Sequence, residues 1–306
     1  MTSTAAAAAD GALVIDKPSG PSSHDIVSAV RRALGGIKVG HTGTLDPLAT
    51  GVLPLLIGRA TRLARFLASA TKTYTAHVQF GWGTDTYDSA GEPTVPPTPA
   101  AVDHGALEAV LGGFRGSFLQ QPPAYSAKKV GGHRAYALAR ASRVVALEPV
   151  MVTVHDLRLL ELDGGTATIE ITSSAGFYVR SLAHDLGVAL GTPAHLAGLR
   201  RTRSGEFDLT QAVPFGVALE AAGAALNRIV PAGALLRHLK GCRLTEEGVR
   251  LVCHGRDVEP RLLLDAPPPP GTAESPVRLL DEAGALVALG VVREASGALH
   301  PVVVLR

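Results

Sequence analysis

Asp46 is the one carboxylate in a long basic stretch. Residues 26–84 hold seven cations (Arg31, Arg32, Lys38, Arg59, Arg62, Arg65 and Lys72) and no other acid. It stands in the run GHTGTLDPLATG (40–51), before Pro47, which fixes its own backbone and restricts that of its predecessor. Glycine or proline at 43, 47, 51 and 54 argues for a specified loop rather than a slack one. A carboxylate among cations stays charged, so it is fit to act as a nucleophile or base and is a poor proton donor. A loop aspartate can also cap a turn or pair with a cation.

Several chemistries lack their residues. A glycosidase-type site needs two carboxylates flanking one bond, and this stretch offers one. The chain has no HExxH, no clustered aspartate ligands, no GxxxxGK[ST] and no GxGxxG. His238, Cys242, Cys253 and His254 lack CxxC spacing, and two adjacent residues chelate one ion poorly, so no metal and no cofactor is expected. The surface charge points to a polyanion. A second basic group (Arg115, Lys128, Lys129, Arg134, Arg140, Arg143) spans 109–147 without an acid, and a third is Arg200, Arg201 and Arg203. Gathered on one face, these clusters would attract nucleic acid.

The elements that must position these residues are read from periodicity. The 306 residues are 46% hydrophobic and 18% charged, with net charge +2, enough for one large or two unequal domains. No apolar run reaches the ~20 residues of a membrane span, and MTSTAAAAAD lacks the features of a secretion signal. With two cysteines there is no disulfide scaffold, and a cytoplasmic enzyme is the default. A strand is expected over 12–15, a loop over 16–23, and a helix opened by Ser22 and Asp25 and closed at Gly35-Gly36. Then follow a long loop (40–51), a strand (52–57), a helix (59–70), a strand (71–80) and a helix near 102–111. Segment 120–135 reads as a mobile basic loop, 150–162 and 166–173 as strands, and 178–190 as a helix. Short strands at 249–252, 277–280, 286–292 and 301–305, interrupted by the proline-rich 266–276, suggest a β-rich terminal unit.

Five segments, in order and at long spacings, carry a resemblance. VIDKPSGPSSHDIV (14–27) with VGHTGTLDPLATGVLPLLIGRATRL (39–63) resembles the signature of the TruB-type tRNA pseudouridine synthases. KTYT (72–75), SSAGFYVRSLAHDLG (173–187) and GLRRTRSG (198–205) resemble that family's later motifs. The resemblance implies an α+β catalytic core over 1–235, with a mixed, mainly antiparallel sheet flanked by helices. It also implies a small β-rich, PUA-like RNA-binding domain over 236–306. The implied activity is conversion of uridine 55 to pseudouridine in the T-loop of tRNA: the N1–C1′ bond is cut, the uracil turned, and the ring rejoined through C5. No redox change occurs, so no cofactor is needed.

Roles follow from the same resemblance. Asp46 matches the indispensable aspartate, acting as nucleophile or as ribose-proton base, and Arg180 the arginine that pairs with it. Tyr74 matches the tyrosine that stacks on the target base and is placed to take the C5 proton. Tyr178 and Leu199 match residues lining the uracil pocket, and His41 the histidine that fills the gap left by the flipped base. Lys17 supports the site or meets a phosphate. Arg59, Arg62, Lys128, Lys129, Arg200, Arg201 and Arg203 are expected to hold the RNA backbone. The partner implied is the tRNA T-stem-loop alone, without guide RNA or membrane, bound by a monomer. A different class of reading, an RNA-binding or tRNA-folding protein without essential catalysis, draws on the basic clusters equally.

Overall fold

The computed structural model describes residues 10–98, 100–125, 129–130, 133–134, 147–220, 226–266 and 276–306. The amino-terminal part contributes strands β1 (Gly11–Lys17), β2 (Val39–His41), β3 (Thr50–Ile57), β4 (Lys72–Phe80), β5 (Gly116–Gln120), β6 (Lys129–Val130) and β7 (His133–Arg134). Then come β8 (Val150–Asp163), β9 (Thr166–Ser173), β10 (Ala194–Ser204), β11 (Phe207–Asp208), β12 (Val213–Pro214) and β13 (Val230–Pro231). The last strands are β14 (Gly241–Arg243), β15 (Val277–Leu280), β16 (Leu286–Val292) and β17 (Leu299–Val304). The helices are α1 (Ser23–Ala33), α2 (Ala64–Ala68), α3 (His104–Gly112), α4 (Val179–Ala189), α5 (Phe215–Glu220) and α6 (Glu246–Cys253).

Eleven strands form the main sheet, in the order β12-β1-β3-β10-β4-β9-β8-β5, with β2, β11 and β13 as side branches. Only the β1–β12 and β3–β10 pairings are parallel, so the sheet is mixed and mainly antiparallel. β6 and β7 make a separate hairpin, and β14-β15-β16-β17 a second sheet.

Strands β1 and β3 are covered on both faces, which is why they read as unbroken apolar runs. Leu13, Ile15, Leu53, Leu55 and Ile57 point into one core, shared with α1 and α4. Ala12, Val14, Val52 and Leu56 point into another, shared with Leu286, Leu289 and Leu305 of the second sheet's segment. The small carboxy-terminal unit is therefore joined to one face of the main sheet by apolar contact. Leu236 stands at the joint, its N–H held by both Glu206 carboxylate oxygens at 3.1 Å. α1 begins as the sequence predicts. Ser22 Oγ accepts from Asp25 N–H, the Asp25 carboxylate accepts from Ser22 N–H, and Ile26, Val27 and Val30 are buried.

Several expectations are corrected. β1 runs on through Asp16 and Lys17, and the expected loop 40–51 is trimmed by β2 and by Thr50. The expected helix 59–70 is a 3-10 segment, Gly58–Leu63, followed by the short α2. Residues 249–252 are not a strand but belong to α6, where Thr245 caps by accepting from Gly248 N–H and Gly248 and Val252 are buried one turn apart. β5 and the central β10 were not expected, because arginines interrupt the apolar alternation of β10. Of the expected loop 120–135, residues 126–128, 131–132 and 135 lie outside the described residues, as does the proline-rich 267–275.

Candidate active site

The Asp46 loop leaves the edge strand β2 and enters the central strand β3. Several of its backbone carbonyls are held by protein donors, and two buried cations supply four of those bonds. Lys17, wholly buried on β1, donates to Pro18 O, Pro47 O and Ala49 O at 2.9, 3.1 and 2.7 Å. Burial pushes its ammonium down to about 8, while the charge of Asp46 pulls the other way. Arg201, 1% exposed on β10, donates to Val52 O at 2.7 Å, Gly43 O at 3.2 Å and Thr44 O at 3.4 Å. From the α1 side, Ser23 Oγ both accepts from Leu45 N–H at 2.8 Å and donates to Leu45 O at 3.0 Å. Gly20 N–H donates to Pro47 O at 2.9 Å. Gly51 ends the loop at φ 98°, and a β-carbon there would lie 2.2 Å from Arg201 O, so only glycine lets β3 lie against β10.

The loop thus holds Asp46 at the mouth of a cleft of about 270 Å³, its side chain 35% exposed. Arg180, 5% exposed in the first turn of α4, faces it. Nε lies 2.9 Å from Asp46 Oδ2 and Nη2 donates to Oδ1 at 3.3 Å. The guanidinium is fixed from three further directions. Nη2 donates to Tyr125 O at 2.9 Å, Nη1 donates to Thr86 O at 3.2 Å, and the Asp88 carboxylate stands 3.6 Å from Nε. Asp88 is itself buried, its Oδ1 accepting from Thr86 Oγ1 at 2.7 Å and Ala90 N–H at 3.0 Å. The N-terminal end of α4 is held by Gln120: Tyr178 N–H donates to its Oε1 at 2.8 Å, and its Nε2 donates to Tyr178 O at 3.0 Å.

Tyr74, Tyr178 and Leu199 line the same cleft as Asp46 and Arg180. The β4–β10 register sets Tyr74 opposite Arg201. Lys72 lies at the cleft floor, donating to Ala68 O and Ala70 O, and burial with the nearby charge of Arg201 lowers it to about 8. One open-faced carboxylate, a rigid cation behind it and two aromatic walls make a pocket fit to receive a flat ring and act on one of its bonds.

Other expected residues fall elsewhere. His41 is on β2, its Nδ1 accepting from Gly43 N–H at 3.2 Å, and it does not line the cleft. Of Lys17's two readings, the geometry matches support of the loop, since a wholly buried ammonium bound to three carbonyls meets no phosphate. Arg201 is likewise corrected: an arginine sealed between strands does not reach an RNA backbone. Arg59 pairs with Asp10 at 2.5 Å, Arg200 with Asp16 at 2.8 Å, and Arg62 donates to Val304 O at 2.6 Å. Arg203 is exposed beside Asp208. Lys129 lies in the β6–β7 hairpin, and Lys128 is outside the described residues. Asp88, Gln120 and Ser23 were missed. Asp88 sits in the turn-rich GTDTYDSAG (83–91), where nothing local distinguishes it from an ordinary turn aspartate.

The same chain matches two family descriptions: the N-terminal domain of TruB family pseudouridylate synthases over 31–179, and the tRNA pseudouridylate synthase B C-terminal domain over 180–238. The tRNA pseudouridine synthase B of Solibacter usitatus is 47% identical over 298 residues, 97% of this chain and 100% of that protein. Its counterpart from Symbiobacterium thermophilum is 45% identical over 82% of this chain and 84% of that protein. A chain of a Cbf5–Nop10–Gar1 complex superposes with a TM-score of 0.76 at 26% identity, covering 98% of this chain and 86% of that one. A chain of an H/ACA ribonucleoprotein bound to a substrate RNA gives 0.73 at 26% identity, covering 97% and 85%. With identity of this extent behind a cleft so built, the chain belongs to the TruB family of pseudouridylate synthases.

Proposed function

We propose that the protein is a tRNA pseudouridine-55 synthase, an isomerase that acts on the T-stem-loop without guide RNA. One observation carries the reading: Asp46, on a loop frozen by buried cations, meets Arg180 in a cleft it shares with Tyr74, Tyr178 and Leu199. The relatives named tRNA pseudouridine synthase B support tRNA as substrate. The uridine must leave its stack to enter the cleft, at a cost of a few kcal/mol. His41 fills the gap, and Arg59, Arg62, Arg200 and Arg203, with Lys128 and Lys129, meet the backbone. Tyr74 and Tyr178 face the ring, Leu199 closes the pocket, and Arg180 aims Asp46. The carboxylate then attacks the sugar or base, or removes a ribose proton. The N1–C1′ bond breaks, C5 takes the place of N1, and Tyr74 is the group placed to accept the C5 proton. An isotope effect from deuterium at C2′ separates proton removal from nucleophilic attack.

Catalysis occupies residues 1–235 and RNA contact extends to 236–306, in a monomer of the cytoplasm. Among the described residues no helix is long and apolar enough to cross a membrane. The test is Asp46→Asn on a T-stem-loop RNA. Pseudouridine formation disappears while RNA binding persists; undiminished product rejects the assignment.

A further inference from the structure

Tyr87 is held in the left-handed region, at φ 63°, where a β-carbon is strained. Among the described non-glycine residues, Leu236 alone shares that conformation. The reversal at Tyr87 delivers its two neighbours to one target. Thr86 before it presents its carbonyl to Arg180 Nη1, and Asp88 after it brings a carboxylate to 3.6 Å from Arg180 Nε. On its other side the turn is tied to β10: Leu196 N–H donates to Tyr87 O, and Ser89 N–H to Leu196 O, each at 3.0 Å. The Tyr87 ring lies flat on His184, with centroids 3.9 Å apart and planes 8° from parallel. His184 follows Arg180 by four residues on α4, one turn further along the same face. Burial lowers the His184 imidazole from its usual value. Neither ring lines the cleft.

We infer that the Tyr87–His184 stack positions Arg180, clamping the strained turn onto α4 so that Thr86 O and Asp88 meet the guanidinium that aims Asp46. The inference rests on reading the chain as a pseudouridine synthase that uses Asp46. A flat ring pair fixes both the spacing and the tilt of turn and helix.

The experiment compares wild type with Tyr87→Phe, Tyr87→Gly and Tyr87→Ala. It reads the single-turnover isomerisation rate of a T-stem-loop RNA, the RNA Kd and the thermal midpoint. Phe keeps the stack, and its rate stays within about twofold of wild type. Gly relieves the strained φ but lacks the ring; Ala lacks the ring and keeps the strain. Both slow isomerisation about tenfold or more with Kd unchanged. Combining Tyr87→Ala with Asp88→Asn adds little to the larger single loss, because both act through Arg180. A wild-type rate in Tyr87→Gly, additive losses in the double variant, or a rate loss matched by weaker RNA binding would each overturn the inference. Wild type that makes no pseudouridine sinks the functional reading itself; an active wild type beside unaffected Gly and Ala variants sinks the stack alone.

Discussion

Asp88→Asn tests how the charge behind Arg180 is used. The change keeps Oδ1, which accepts from Thr86 Oγ1 and Ala90 N–H, so the turn retains its hydrogen bonds. It removes the negative charge 3.6 Å from Arg180 Nε and sets an amide N–H₂ against a guanidinium. Two unit charges at that distance attract by about 5 kcal/mol at an effective dielectric constant near 20. Burying the carboxylate costs several kcal/mol, which offsets much of that attraction. Arg180 keeps Asp46 and two carbonyls, so the net loss of stability falls at about 1–3 kcal/mol, a few degrees of thermal midpoint. If half of that loss appears as misalignment of Asp46, the chemical step slows roughly 2- to 12-fold, and if all of it does, roughly 5- to 140-fold, at about 1.4 kcal/mol per factor of ten. Asp88 does not line the cleft, so RNA affinity stays constant. Single-turnover isomerisation and RNA binding measured side by side decide the matter. A rate within about twofold of wild type, with the protein folded, refutes the view that Asp88 governs Arg180.

Other outcomes are equally specific. Gly51→Ala drives a β-carbon into Arg201 O at a backbone conformation unsuited to alanine, and chemical denaturation records a loss of several kcal/mol. Lys17 and Lys72 are both lowered to about 8 from 10.5, so between those values the unfolded chain binds more protons than the folded one. Stability therefore rises with pH across that window, and Lys72→Met flattens part of the rise in a urea-midpoint titration. RNA binding weakens linearly on a log–log plot against salt as counterions are released, and a flat response speaks against an extended phosphate interface.

What the sequence disclosed and withheld has a physical pattern. Asp46, Tyr74, Tyr178, Arg180 and Leu199 stand in runs specific enough to name, and they do share one cleft. α1 was legible because its cap and apolar spacing are local. β10 was not, because its register is set by β3 and β4, far away in the chain. Arg201 was misread as a surface cation for the same reason: its partners are carbonyls some 150 residues earlier. The run at 249–252 fits strand or helix alike, and Thr245 with two following glutamates was the overlooked helix signal. Asp88 gains its meaning from Arg180, on another element altogether.

The double-sided covering of β1 and β3 has a last consequence. Such strands have no free side on which chance polar changes accumulate harmlessly, so the scaffold under the Asp46 loop drifts slowly whether or not selection acts on the chemistry. Random-substitution libraries scored for folding alone, with no assay of RNA modification, will leave the same blank stretch around 11–17 and 51–57.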